Sequence, residues 1–135
     1  MQNSWPKIEY GRRYGFSATH AMSHLGGECA TPHEHHYLVE FIGLHEIQPY
    51  RTGYTHSIGE QDDEFEPLVR GLQDKFLNDI LPMPPSAEAL ALYFLANTQP
   101  SFCCAVEITA YSGYRVRADR NLQRSEWLAK FRKCG

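Results

Sequence analysis

Nowhere in this 135-residue chain do eighteen apolar residues run together, and that is about the least a helix needs to cross a bilayer. No membrane partner is therefore expected. Met1 to Trp5 have neither the basic start nor the apolar stretch of a secretory signal, which predicts a cytoplasmic protein. Concentrated positive charge is also missing. The formal net charge is −3, and Arg12, Arg13, Arg115, Arg117 and Arg120 are dispersed, so no run of cations can track a phosphate backbone and no nucleic-acid partner is expected. Cysteine is sparse: Cys103 and Cys104 are neighbours in a strand-like run and Cys134 is one residue from the end. That is no secreted disulfide framework. Only Cys29 has chemistry-bearing company. Repeats, linkers and low-complexity segments are lacking too, so residues 1–135 read as a single domain with a short helical tail from about residue 120.

What is present is an order of elements. Ile8 to His20 alternates with period two, placing Ile8, Tyr10, Tyr14, Phe16, Ala18 and His20 on one parity. This predicts a long strand, with Gly11 or Gly15 as the place for a bulge. Met22 to Pro32 carries Gly26-Gly27 and reads as a loop, and a second strand follows from about His33 to Ile47. After a polar stretch the period changes: Phe65, Leu68, Val69, Leu72, Phe76, Leu77 and Ile80 recur at three and four residues, the apolar face of a helix. Asp62 to Glu66 would open that helix, and Pro67 fits only its first turn. Pro82, Pro84 and Pro85 break the chain before Ser86, which can cap a second helix. Phe102 to Tyr111 predicts a third strand, Ser112-Gly113 a turn, Tyr114 to Ala118 a fourth strand, and Leu122 to Arg132 a tail helix with Trp127 packing it down. Hairpins flanking a helix pair define the α+β class: a four-stranded antiparallel sheet, with two helices inserted between strands 2 and 3 on one face.

The seven histidines carry the chemistry. His33 and His35 lie two apart at the start of a strand and so project from one face. His20 ends the preceding strand, within reach of both if the strands pair. Three neutral imidazoles at about 2.0–2.1 Å suit zinc and leave a fourth position for water or substrate. His-x-His also arises by chance on solvated strands, and spacing does not decide whether Cys29 would close such a site as a fourth ligand. Gly27, His33, His35 and Glu40 partly match the first metal motif of the all-β cupins, but Ile47 stands near the place of that motif's later glycine and no second motif follows.

Longer patterns are more specific. Phe16-Ser17-Ala18-Thr19-His20, Cys29-Ala30-Thr31-Pro32-His33-Glu34-His35-His36-Tyr37, Leu77-Asn78-Asp79, Pro85-Ser86-Ala87-Glu88 and Glu107 followed by Thr109 occur in this order. Together they resemble the family of 6-pyruvoyltetrahydropterin synthase and 6-carboxytetrahydropterin synthase, over roughly Tyr14 to Arg117. The resemblance implies a tunnelling fold whose protomers join through strand edges into a homo-oligomer, a hexamer or another stacked ring. It implies a lyase acting on a small pterin-like substrate such as dihydroneopterin triphosphate. Zinc would sit on His20, His33 and His35, Cys29 would be the base or nucleophile, and Glu107 would anchor the pterin. The pattern breaks where the family has Leu-Asp-His. Here stands Leu72-Gln73-Asp74, so the proton relay is altered, with Asp74, His24 or His56 as its replacement. The alternatives are a divergent member acting on another pterin or a different small molecule, and a homologue that binds zinc without synthase activity.

Overall fold

The computed structural model describes residues 5–48, 50, 52–110 and 113–133. Two long strands form its frame: β1 (Lys7–His20) and β2 (His33–Glu46) pair antiparallel without interruption, from Lys7 opposite Glu46 to His20 opposite His33. The bulge expected at Gly11 or Gly15 is therefore absent. Gly11 serves another purpose, because a Cβ there would fall 2.1 Å from Glu40 Oε2 on the neighbouring strand. β3 (Ala105–Thr109) pairs antiparallel with β2, and β4 (Arg115–Asp119) with β3, giving the sheet order β1-β2-β3-β4. Tyr111 and Ser112, expected to end the third strand and begin the turn, lie outside the described residues, as does Cys134.

Between β2 and β3 come α1 (Ile58–Arg70) and α2 (Ala87–Ala96). The architecture is α+β, with helices packed on one sheet face, and it is no cupin barrel. α1 starts earlier than the charge pattern suggested. Ser57 caps it in a reciprocal box, accepting from the Glu60 N–H at 3.1 Å while the Glu60 carboxylate accepts from the Ser57 N–H at 3.0 Å. Pro67 consequently lies near the C-terminal end, not in the first turn, and Phe76, Leu77 and Ile80 fall beyond the helix. The apolar spacing continues past Gly71 because the chain then runs along the outer edge of β1. There the Asp74 N–H donates to Ser17 O at 2.7 Å and the Thr19 N–H to Lys75 O at 2.9 Å. A short turn, Leu77–Asp79, ends that run.

The core lies between the sheet and the two helices. Phe41 stacks on Phe65 of α1 with ring centroids 4.3 Å apart, and Phe16 meets Phe94 of α2 edge-on. α2 is apolar nearly all round because the sheet covers one side and α3 (Ser125–Ala129) contacts another. In the tail Leu128 and Phe131 are buried, whereas Trp127 is 47% exposed under Lys130. The helical phase turns the indole outward, so it is not the residue that packs the tail. α1 is tied to the sheet where Arg12 forks onto both Asp62 oxygens at 2.9 and 3.1 Å, with the Tyr14 hydroxyl donating to the same carboxylate. No helix among the described residues is long and apolar enough to cross a membrane.

Arg120 closes the junction between α2 and β3. Its guanidinium donates to the Cys103 carbonyl, and also to the Leu95 and Thr98 carbonyls at 3.0 and 3.1 Å. A cation there also suits the negative end of α2. Burial lowers its pKa, the cost of holding a guanidinium among carbonyls. Arg120→Ala is expected to lower unfolding free energy by about 2–4 kcal/mol, since three carbonyls lose a charged donor. Arg120→Lys should recover only part of this because an ammonium lacks the fork. Urea denaturation measures both.

Candidate metal centre and its cavity

The unbroken β1–β2 register decides where the histidines go. Residues opposite one another in an antiparallel pair share a face, so His20 and His33 meet directly and His35 follows two residues along. The three rings pack mutually edge-on, with centroids 4.5–4.7 Å apart. Each offers a ring nitrogen, and these nitrogens all lie within 4.8 Å of one another.

The hydrogen bonds fix two tautomers. His20 Nδ1 lies 2.7 Å from the carbonyl of Pro85, and His33 Nδ1 lies 2.7 Å from that of Thr31. A carbonyl only accepts, so each Nδ1 carries the hydrogen and each neutral ring presents an Nε2 lone pair. Those two Nε2 atoms are 3.1 Å apart. Lone pairs facing at that distance repel unless a cation or proton lies between them. Tetrahedral zinc at about 2.0–2.1 Å would space two nitrogens about 3.3 Å apart, so the arrangement fits a metal. The backbone partners are the outer contacts that orient ligating imidazoles.

Protonation follows from the surroundings. His20 is buried and its pKa is lowered, first by burial and then by His33, against the raising effect of the Pro85 bond. His35 is pushed down from 6.5 to about 4 by burial, then by the charges of His20, His33 and His36. Both shifts favour the neutral ring, the form that binds metal. For His35 the unfolded state takes up protons between pH 6.5 and about 4 while the folded state does not. The metal-free protein should thus be most stable above about pH 6.5 and lose stability as pH falls toward 4. Thermal unfolding of chelator-treated protein across that range measures the slope. A flat profile would contradict the placement of His35.

Around the histidines opens a cavity of about 320 Å³, of the size that holds small molecules. Met22, Leu25 and Cys29 form one wall, from the loop between β1 and β2; Ser86, Ala87 and Glu88, at the start of α2, form another; Ala110 and Tyr114 close the side. Cys29 sits on a short turn, Gly27–Ala30, and its thiol is exposed. Gly26 leads into that turn and Gly27 opens it, both at positive φ (73° and 59°), which a side chain would resist. Glu88 and Tyr114 are joined: the Tyr114 hydroxyl donates to Glu88 Oε2 at 2.6 Å.

Two expected site residues stand elsewhere. Glu107 does not line the cavity. It is paired with Glu40, and that parity puts it on the helix-free face, whereas Val106 and Ile108 face the core. There Arg115 and Arg117 each approach it at 3.0 Å. Burial pushes its carboxyl pKa up, but the two guanidiniums outweigh that and leave it lowered. Asp74 lies in the edge segment beside β1, at φ 61°, with Gln73 donating to its carboxylate at 3.0 Å. It is outside the cavity as well. Of the other imidazoles, His24 lines an adjoining hollow of about 260 Å³, and His56 stacks on Phe102 with its Nε2 3.0 Å from Ser101 O. Neither lines the three-histidine cavity. His36 faces away from the cluster, with Nδ1 2.5 Å from Ser17 Oγ.

The cavity carboxylate that sequence reasoning passed over is Glu88. Its place in the first turn of a capped helix explained it as a dipole partner, and nothing in spacing showed Tyr114, just before β4, arriving to meet it. The signal was the short Pro85-Ser86-Ala87-Glu88 motif beside the residue whose carbonyl holds His20.

An α+β sheet with its helices on one face, carrying three convergent imidazoles at the end of its longest hairpin, defines a tunnelling-fold protein with a candidate metal centre. The family description "6-pyruvoyl tetrahydropterin synthase" matches residues 9–123, and the chain belongs to that family. Among solved structures it is similar to the 6-pyruvoyl tetrahydropterin synthase of Caenorhabditis elegans, with a TM-score of 0.77 at 16% identity, covering 87% of this chain and 99% of that one. No curated protein matches it with significance.

Proposed function

We propose that the chain is a zinc-dependent carbon–oxygen lyase acting on a pterin-like small molecule, with His20, His33 and His35 as metal ligands. The observation that carries this reading is the convergence of three imidazoles, an exposed thiol and a hydrogen-bonded carboxylate on one cavity. Zinc there supplies Lewis acidity toward a substrate oxygen. Cys29 is the proton acceptor, standing on the loop wall beside the ligands. Glu88 takes the anchoring role expected of Glu107, because a carboxylate accepts two N–H bonds from an amidine-like edge. Tyr114 fixes its orientation. Ser86, the α2 cap, stays engaged with the Ala89 N–H at 3.1 Å and holds that wall still.

In this reading the proton relay draws on a second chain: Cys29 lines the cavity and Asp74 of the same chain does not, so Asp74 would serve the site of a neighbouring copy. The edge of β4 and much of the outer edge of β1 supply such a surface, as an unpaired strand edge invites pairing, and we place the protein in a cytoplasmic homo-oligomer. Replacement of the family's Asp-His by Gln73-Asp74 favours one other reading: a zinc-binding homologue without synthase activity.

Metal analysis of purified protein, followed by turnover of dihydroneopterin triphosphate and related pterins, tests the proposal. About one zinc per chain, with turnover abolished in Cys29→Ala, is expected. Zinc with pterin binding but no turnover would select the second reading, and folded protein that takes up no zinc would sink both.

A further inference from the structure

We propose that Asn78 is a positioning residue for the metal centre, holding the backbone beside His20 so that its Nε2 points at the other two imidazoles. This rests on the three-histidine reading above and goes beyond it, since Asn78 lines the adjoining hollow and not the three-histidine cavity.

Three observations carry it. Asn78 grips both polar groups of one peptide residue: its Oδ1 accepts from the Ala21 N–H at 2.9 Å, and its Nδ2 donates to the Ala21 carbonyl at 2.8 Å. Paired bonds of this kind are what an adjacent strand would supply. The amide side chain thus extends the edge pairing that Asp74 and Lys75 make with Ser17 and Thr19, by one residue past the end of β1. Second, Ala21 directly follows His20, so the grip fixes the Cα position from which the ring projects. Third, the same stretch of chain reaches the ring from the other side, where Pro85 O holds His20 Nδ1 at 2.7 Å. Asn78 and Pro85 therefore clamp His20 at backbone and ring, across a proline-rich segment (Pro82, Pro84, Pro85) with little freedom to yield.

The clamp matters for metal binding more than for folding. Asn78 is exposed, and an exposed amide pair exchanges bonds with water at small net cost. Metal ligation is less forgiving, because ligand distances must hold within about 0.2 Å. With the backbone tie cut and the ring still on Pro85, the Nε2 shifts while the fold persists. Outer partners of metal ligands typically change affinity by about 10–100-fold, and an indirect clamp belongs at the lower end.

The test is zinc affinity by chelator competition on the full chain, with cobalt(II) absorption as a probe of ligand geometry and thermal unfolding of the metal-free protein as a control. Asn78→Ala should weaken zinc about tenfold and alter the cobalt spectrum, with the metal-free unfolding temperature nearly unchanged. Asn78→Asp keeps the acceptor for the Ala21 N–H and loses the donor, so it should fall between. Zinc affinity within about twofold of wild type and an unchanged cobalt spectrum in Asn78→Ala would overturn the inference. If that variant does not fold, the same result in Asn78→Asp decides against it. Wild-type protein that binds no zinc would remove the three-histidine reading itself, a different outcome from unchanged variants.

Discussion

Replacing His35 with alanine is expected to weaken zinc binding by a few hundred-fold and to remove turnover. Zinc at structural sites is held by about 10–16 kcal/mol in all, so one ligand of three or four carries roughly 3–4 kcal/mol. His35 is also the ring whose pKa is lowered furthest among the three, to about 4. Its removal should therefore have a second, separable effect. In the metal-free protein the loss of stability between pH 6.5 and 4 should become shallower, because a group that the unfolded chain protonates and the folded chain does not has been deleted. His36→Ala serves as the contrast. That ring is next in sequence but faces Ser17 on the other side of the sheet, so zinc binding should change little. Isothermal titration with zinc, and thermal unfolding as a function of pH, read the two effects independently. Equal loss of zinc in His35→Ala and His36→Ala would contradict the register that separates them.

That register is the part of the site most legible in the sequence. Period two through Ile8–His20 and the His33-x-His35 spacing set which side chains share a face, and pairing His20 with His33 needed only an uninterrupted hairpin. The α+β class was legible for the same reason: the apolar period changes once, from two to about three and a half, and changes back. The helix boundaries were not. The apolar residues from Leu72 to Ile80 keep a helical spacing by coincidence, since Leu72 is buried from the turn that follows α1 and Leu77 from a separate short turn. The deciding residues were Ser57 and Glu60, whose reciprocal cap started α1 before its apolar stripe. Glu107 lies away from the cavity of its own chain for a simple physical reason: its parity along β3 is opposite to that of Val106 and Ile108, which face the core. Odd residues of β2 face the core and odd residues of β3 do not, because Val39 pairs with Ile108.

The second large effect concerns Glu88, in the cavity, and Glu107, on the helix-free face. Glu88→Gln is expected to weaken pterin binding by about 10–100-fold, as a carboxylate accepting charge-assisted bonds is replaced by an amide that offers one acceptor and a competing donor. Tyr114→Phe removes the 2.6 Å bond that steers the Glu88 carboxylate and should cost a smaller part of the same affinity. The loss should appear in ligand binding and not in zinc content, because neither residue belongs to the imidazole cluster. Glu107→Gln provides the opposite pattern. It leaves Arg115 and Arg117 without their shared carboxylate on a face away from the cavity, so within one protomer pterin affinity should stay near wild type. Fluorescence titration with a dihydropterin on zinc-loaded protein discriminates the two. If Glu107→Gln abolished binding while Glu88→Gln did not, the carboxylate anchor would have to come from the helix-free face of another copy, and the cavity between β2 and α2 would no longer be the pterin site of a single chain.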